Sequence, residues 1–291
     1  MLVIAERFGE LGNRMFLFSH VIAAAIESGG RVVNPNFAEY AAFFESTAPD
    51  LWCRYPRQGS SWPAWSWLRR GLYRLFGLLA RLLRSSRVRP PGFQVWIASD
   101  ETVQLDGAEF RQALMPGEAV FLYGWKFRCP LLFRKHAVQI RGFFAPLEGH
   151  RRRVAETVGQ ARERCEVLVG VHIRQGDYRD FQGGRYYFET PQYAQVMERM
   201  NALFPGRRVG FLICSNQPQD ARHFQRFEHR FGTGHLVEDM YALAACDFLL
   251  ATMSTYSLWA SFYGQTPLYI IEDPGAPVTL AQFRPYNEDL D

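Results

Sequence analysis

Hydrophobic residues along the chain gather in short runs separated by stretches of helical spacing. The first run, Leu2 to Ala5, has the length of a strand. The turn Phe8-Gly9-Glu10-Leu11-Gly12-Asn13 follows, and from Met15 to about Glu27 the apolar positions repeat as in a helix, closed by Gly29-Gly30. Arg31 to Asn34 fits a further strand, so the chain opens as β-turn-α-β. Residues 36–60 are aromatic and carry no clear period. The second half is plainer. Val167 to Val171, Gly210 to Cys214, Phe248 to Ala251 and Leu268 to Ile271 are short apolar runs. Helical patterns over Pro191 to Leu203, Gln219 to Glu228 and Tyr256 to Tyr263 separate them. Such alternation predicts an α/β fold, a parallel sheet with helices on both faces. Pro and Gly in Phe143-Phe144-Ala145-Pro146-Leu147-Glu148-Gly149, ahead of an arginine-rich helical pattern, mark a boundary. The expected domains are residues 1–145 and 146–291.

Residues 62–86 form a unit of their own, bracketed by Pro63 and Pro90-Pro91. Leu68, Leu72, Leu75, Leu79 and Leu82 recur every three or four residues, with Arg69, Arg70, Arg74, Arg81 and Arg84 free to share another side. Trp62, Trp65 and Trp67 stand at its start. This is a basic amphipathic helix open to two readings. It lies on an anionic membrane with its tryptophans at the interface, or it packs its leucine stripe into a domain.

Charge sharpens this picture. The net charge of the 291-residue chain is only +4. Yet Arg54, Arg57, Arg69, Arg70, Arg74, Arg81, Arg84, Arg87 and Arg89 fall between Asp50 and Asp100 with no acid among them, so the remainder is net acidic. A basic block on an acidic body points to a local partner and away from nucleic acid. Charged residues at 21% and hydrophobic ones at 48% exclude bulk disorder. The five cysteines, Cys53, Cys129, Cys165, Cys214 and Cys246, are scattered, without zinc-ligand spacing. They fit a reducing compartment. The opening residues lack a signal-peptide pattern, and no uncharged apolar run has membrane-spanning length. The expected location is cytoplasmic, with peripheral attachment to the inner face of the cell membrane on the first reading of 62–86.

Candidate chemistry follows the apolar runs of the second half. After Val171 come His172-Ile173-Arg174-Gln175-Gly176-Asp177; after Cys214, Ser215-Asn216-Gln217; after Ala251, Thr252-Met253-Ser254-Thr255. Three polar clusters then sit at the carboxyl ends of three parallel strands, where open α/β sheets bind ligands. Arg174 offers a planar fork for phosphate oxygens. Ser254 and Thr255 precede a helix whose free N–H groups favour an anion. An arginine opposite a helix N-terminus makes a diphosphate clamp that needs no metal, and no carboxylate pair stands out to hold one. No P-loop sequence is present, which excludes that class of nucleotidase. Each feature has a plainer reading: His172 as a strand-end histidine, Arg174 as partner of Asp177, Ser254 and Thr255 as a cap.

His172 to Tyr178, HIRQGDY, resembles the HxRRGDY signature of the α-1,2-fucosyltransferases. FGELGNRMFLFS (8–19), GWKFRCPLLFRKHAVQIRGFF (124–144), TPQYAQVMERM (190–200) and DMYALAACDFLLATMSTYSLWASFYG (239–264) resemble further segments of that family, in the same order. The resemblance implies the GT-B arrangement, two Rossmann-like domains facing a cleft. It implies an inverting, metal-independent transfer of fucose from GDP-fucose to a glycan hydroxyl, with an α-1,2 linkage. By the same resemblance Arg174 binds the donor β-phosphate and Ser254 and Thr255 hold the diphosphate. His172 and Asp239 lie near the guanosine, Ser215 belongs to the donor site, and Asn13 reaches the phosphate or sugar. Asp177 and then Glu10 are the candidate bases. Asp177 also reads as a residue that only orients Arg174, and Glu10 as a solvated loop side chain.

The departures fall within the same segments. Gln175 stands for the family's second arginine, Ser215-Asn216-Gln217 for its SDD, Met253 for an amide, Leu258 for a tryptophan, Glu10 for a glycine and Arg14 for a glutamine. They leave open a different sugar or linkage, and also a non-catalytic relative that binds nucleotide or glycan. The expected partners are a GDP-sugar and a glycan acceptor, carried on a lipid if 62–86 meets a membrane.

Overall fold

The computed structural model describes residues 1–58, 64–86, 91–114 and 117–287. The chain divides into two compact units, Met1–Leu147 and Glu148–Asp291.

In the first unit β1 (Leu2–Ile4) leads into α1 (Leu11–Ser28), then β2 (Val32–Val33), β3 (Arg54–Tyr55), α2 (Ser66–Ser85), β4 (Phe93–Ala98), β5 (Val103–Gln104), α3 (Ala108–Ala113), β6 (Ala119–Gly124), β7 (Phe127–Arg128), α4 (Pro130–Lys135) and α5 (Ala137–Phe143). The main sheet has the order β3-β2-β1-β6-β4. All its pairs are parallel except β2 with β3; β5 and β7 form a separate parallel pair. α1 is buried over most of its length and ends at Gly29, whose left-handed backbone (φ 61°) returns its N–H to the last turn. It begins at Leu11, one turn earlier than the sequence suggests, so Asn13 belongs to the first turn of the helix and not to the loop.

The second unit runs α6 (Glu148–Arg162), β8 (Val167–Ile173), α7 (Thr190–Ala202), β9 (Val209–Ser215), β10 (Glu228–Phe231), α8 (Leu236–Ala244), β11 (Phe248–Ala251), α9 (Thr255–Gly264) and β12 (Leu268–Ile270). Its sheet is wholly parallel, in the order β10-β9-β8-β11-β12. β8 is buried at every position, as an apolar run covered on both faces should be. At Gly170 an added Cβ would stand 2.6 Å from Leu249 and 2.8 Å from Leu243, so only glycine lets α8 and β11 approach β8. The chain builds outward from β8 through β9 and β10, then crosses back to β11 and β12. The switch point therefore lies between β8 and β11. Residues 219–228 correct the expectation of a helix. They hold a short 3-10 turn, Ala221–Phe224, capped by Asp220, and lead into the edge strand β10.

α2 lies within 62–86, of which residues 62 and 63, and so Trp62, fall outside the described residues. Of its leucine stripe, Leu68 and Leu72 are half-buried, but Leu75, Leu79 and Leu82 do not turn inward. Leu75, Leu78, Leu79 and Leu82 are 55–58% exposed, as are Trp65 and Trp67 at about that level or above. Arg69 and Ala80 are the buried residues instead. Ala80 packs with Phe76, Tyr123 and Ala5, and the Tyr123 hydroxyl donates to the Ala80 carbonyl at 2.6 Å. No described helix is long and apolar enough to cross a membrane.

Candidate active site

Ligands of open parallel sheets bind where the strand order reverses, beyond the carboxyl ends of the strands. In the second unit that place is occupied by the residues following β8 and β11. Register sets His172 beside Ala251 on one side and Cys214 on the other. The His172 ring is buried against Tyr256 of α9, with centroids 4.8 Å apart. Burial, reinforced by the Arg174 charge, lowers its pKa to about 3, so the imidazole is neutral.

Arg174 follows one residue after β8 ends. One end of its guanidinium donates to Asp177 Oδ2 at 2.7 Å, and its plane lies over Tyr178, 5.1 Å from the ring centroid. The Tyr178 hydroxyl donates to the Met253 carbonyl at 2.9 Å, which ties the loop after β8 to the loop after β11. Ser254 caps α9, its hydroxyl accepting from Tyr256 N at 3.3 Å, and Thr255 opens the helix. Three polar atoms here are buried without a hydrogen-bond partner among the described residues: His172 Nδ1, Arg174 Nε and Thr252 Oγ1. Buried donors and acceptors are rarely left so. At a switch point they mark where a ligand's polar atoms belong.

The loop after β9 shapes the flank. A cavity of about 400 Å³ is lined by Ser215, Asn216, Gln217, Gly232, Gly234 and Asp239, among others. Asp239 is buried, and its carboxylate accepts from Thr233 N at 2.7 Å, Thr233 Oγ1 at 3.1 Å and Gly234 N at 3.1 Å. Burial pushes its pKa up against those bonds. It thus builds the cavity wall. Ser215 is half-buried and accepts from Gln217 N and Gln219 Nε2. Gln175 is buried and stitched to this loop. Its N–H donates to Asn216 Oδ1 at 2.8 Å, its amide donates to the Phe188 carbonyl, and Gln219 donates to its amide oxygen at 2.9 Å. A glutamine both donates and accepts where an arginine only donates, so this network requires the amide.

The structure thus brings His172, Arg174, Asp177, Ser254 and Thr255 together, with Ser215 and Asp239 on the adjoining cavity. Glu10 and Asn13 belong to the first unit. Glu10 precedes α1, lines a pocket of about 400 Å³ beside Arg7, Arg81 and Arg84, and accepts from the Tyr40 hydroxyl at 2.7 Å. The Asn13 amide makes no hydrogen bond among the described residues. Tyr178, Tyr193 and Gln175 also build the site. Tyr193, on α7, lies with its hydroxyl 3.4 Å from Arg174 N. Their roles rest on contacts between distant segments; the sequence signals were the place of Tyr178 and Gln175 inside HIRQGDY and of Tyr193 inside TPQYAQVMERM.

Residues 139–275 match the family model of glycosyl transferase family 11. The resemblance read from the sequence is borne out there. No protein of curated function matches the chain. Among solved structures, a mutant of FUT1 from Arabidopsis thaliana in complex with GDP superposes with a TM-score of 0.59 at 12% identity, covering 97% of this chain and 73% of that one. The fucosyltransferase NodZ from Bradyrhizobium gives 0.55 at 15%, covering 93% and 95%. POFUT1 in complex with GDP-fucose gives 0.54 at 10%, covering 90% and 93%. At such identities the likeness shows the fold: α/β units with parallel sheets, as in GT-B fucosyltransferases.

Proposed function

We propose that this glycosyltransferase moves fucose from GDP-fucose to a glycan hydroxyl, with inversion, without a metal and in α-1,2 linkage. The observation that carries the reading is that the switch point holds both Arg174, just after β8, and the N-terminus of α9, just after β11, with the two loops tied by the Tyr178–Met253 hydrogen bond, beside an open cavity of nucleoside size. The Arg174 fork and the free N–H groups at Ser254 and Thr255 suit the two phosphates of a nucleoside diphosphate. They stabilise the charge that grows on the leaving GDP. Neutral His172 and the wall held by Asp239 and Ser215 suit the guanosine.

In the reaction the acceptor oxygen attacks the anomeric carbon opposite the diphosphate. The carbon–oxygen bond to phosphate breaks, its electron pair leaves with GDP, and a carboxylate takes the hydroxyl proton. Two carboxylates compete for that role. Asp177 is largely exposed but already paired with Arg174. Glu10 lines a first-unit pocket. Asp177→Asn and Glu10→Gln separate them: the base variant loses kcat, whereas loss of an orienting partner shows mainly as weaker GDP binding.

Calorimetric titration with GDP, GDP-fucose and GDP-mannose in the presence of EDTA tests the donor site. Arg174→Ala should weaken GDP by about 10–100-fold, the worth of a charge-assisted pair. Absence of GDP binding in the parent would sink the reading. A preference for GDP-mannose would favour another sugar, the alternative that Gln175 and Met253 keep open. Binding without slow release of fucose from GDP-fucose would favour a non-catalytic role. The exposed leucines and flanking arginines of α2 support a further part of the reading: the enzyme works at the cytoplasmic face of an anionic membrane on a lipid-linked glycan, in cell-surface polysaccharide assembly.

A further inference from the structure

A second site lies wholly within the first unit. A pocket of about 540 Å³ opens between α2 and the segment after β2. Arg7, Arg14, Arg69, Arg70 and Arg74 line it, with Glu39 as the only carboxylate among its described lining residues. The two arginines of its wall are 4% exposed. Arg14 donates from Nε to the Gly9 carbonyl at 3.0 Å and from Nη1 to the Asn36 carbonyl and Glu39, but its Nη2 is buried without a partner among the described residues. Arg69 donates from Nη2 to the carbonyls of Thr47, Ala48 and Asp50; its Nε is likewise buried and unpartnered among the described residues. No carboxylate pairs with Arg69 among the described residues. Arg7 shares Glu39 with Arg14, at 3.3 and 3.1 Å. Arg70 and Arg74 stand exposed at the mouth and make no ion pair among the described residues.

Burying a guanidinium without a counter-charge is costly, and leaving its N–H groups unused adds to the cost. Among the described residues Arg69 is buried with no carboxylate beside it, Arg14 and Arg69 each leave one guanidinium nitrogen unused, and two more arginines without ion pairs stand at the rim; such a pocket is set up for an anion with several oxygens. Planar guanidinium groups match phosphate oxygens best. The opposite side of the same helix carries the exposed leucines. A ligand whose phosphate enters the pocket can therefore keep an apolar tail at the level of the leucine face.

We propose that this pocket binds the diphosphate of a lipid-linked acceptor. The identity of the ligand as an acceptor rests on the glycosyltransferase reading above; the phosphate chemistry does not. The test is calorimetric titration of full-length protein, with GDP present at saturation, using inorganic diphosphate, farnesyl diphosphate and glycerol 1-phosphate as probes. Both diphosphates should bind, and more tightly than glycerol 1-phosphate. Arg70→Ala/Arg74→Ala, at exposed positions that leave the fold intact, should weaken them at least about 10-fold, while Arg174→Ala leaves them unchanged. Arg69→Met serves as a second variant, with its melting temperature recorded alongside.

No diphosphate binding in the parent, or binding lost in Arg174→Ala but kept in Arg70→Ala/Arg74→Ala, would overturn the site. Glycerol 1-phosphate binding as tightly as diphosphate would overturn the acceptor assignment in favour of a phospholipid headgroup. If GDP itself fails to bind, the donor reading falls alone, and the same titrations are read on the unliganded protein.

Discussion

Single residues of the second unit set the electrostatics of the site. His172 is neutral because burial and the neighbouring Arg174 disfavour its cation, down to a pKa of about 3. An unfolded histidine titrates near 6.5. Between these values the unfolded chain binds the proton and the folded chain does not, so stability is lost as pH falls from about 6.5 toward 3. That single group contributes a slope of about 1.4 kcal/mol per pH unit within the window. We expect His172→Asn to reduce the acid dependence of the unfolding free energy between pH 6 and 4, measured by urea titration. An unchanged slope would mean that the imidazole is charged in the folded state. At this scale the sequence was partly legible. Arg174 and Ser254 could be picked out because a polar residue after a buried strand, or before a helix, has few structural uses. Gln175 could not: its meaning lies in bonds to Asn216, Phe188 and Gln219, up to 44 residues away. Arg69 reads as one of the charges on the polar side of 62–86, since nothing local shows that carbonyls of residues 47–50 bury it.

At the scale of elements, legibility followed burial. The central strands of the second unit are continuous apolar runs, and all were found. β10 was not, because an edge strand that alternates exposed Glu228 and Arg230 with half-buried His229 and Phe231 resembles a solvated turn of helix. β6 is a short apolar run that periodicity alone cannot assign. α2 shows the opposite case: its period was clear and its orientation was not. Its inward residues are Arg69, Phe76 and Ala80, while Leu75, Leu78, Leu79 and Leu82 face outward. Exposed Phe93 and Ile97 of β4 share a face with Val95, which packs against the same cluster, and so extend the apolar surface. Contiguous apolar surface of this kind marks an interaction face. Leu75→Gln/Leu79→Gln should abolish the co-sedimentation with anionic vesicles that persists at high salt, while shifting stability by no more than about 0.5 kcal/mol per site, as exposed positions allow. Vesicle binding retained at high salt would remove α2 from the membrane contact.

Across the molecule, charge and apolar surface coincide in the first unit, and the rest of the chain is net acidic. This asymmetry gives the protein a preferred face toward an anionic surface, because the arginine block is attracted while the acidic remainder is repelled. Arg70, Arg74 and Arg81 flank the leucine face as exposed cations. Each basic residue near an anionic bilayer contributes about 1 kcal/mol, and that attraction decays within a Debye length. Apolar insertion of the leucines is not screened in this way. The two contributions are therefore separable by salt. Vesicles rich in anionic lipid should bind strongly at low ionic strength and weaken as salt is raised, down to a residual level set by the leucines. Arg70→Gln/Arg74→Gln/Arg81→Gln should bind near that residual level at all salt concentrations, and the leucine variant should fall below it at high salt. Binding independent of salt in the parent would show that the arginine block faces something other than the bilayer, and would leave the first-unit pocket as its use.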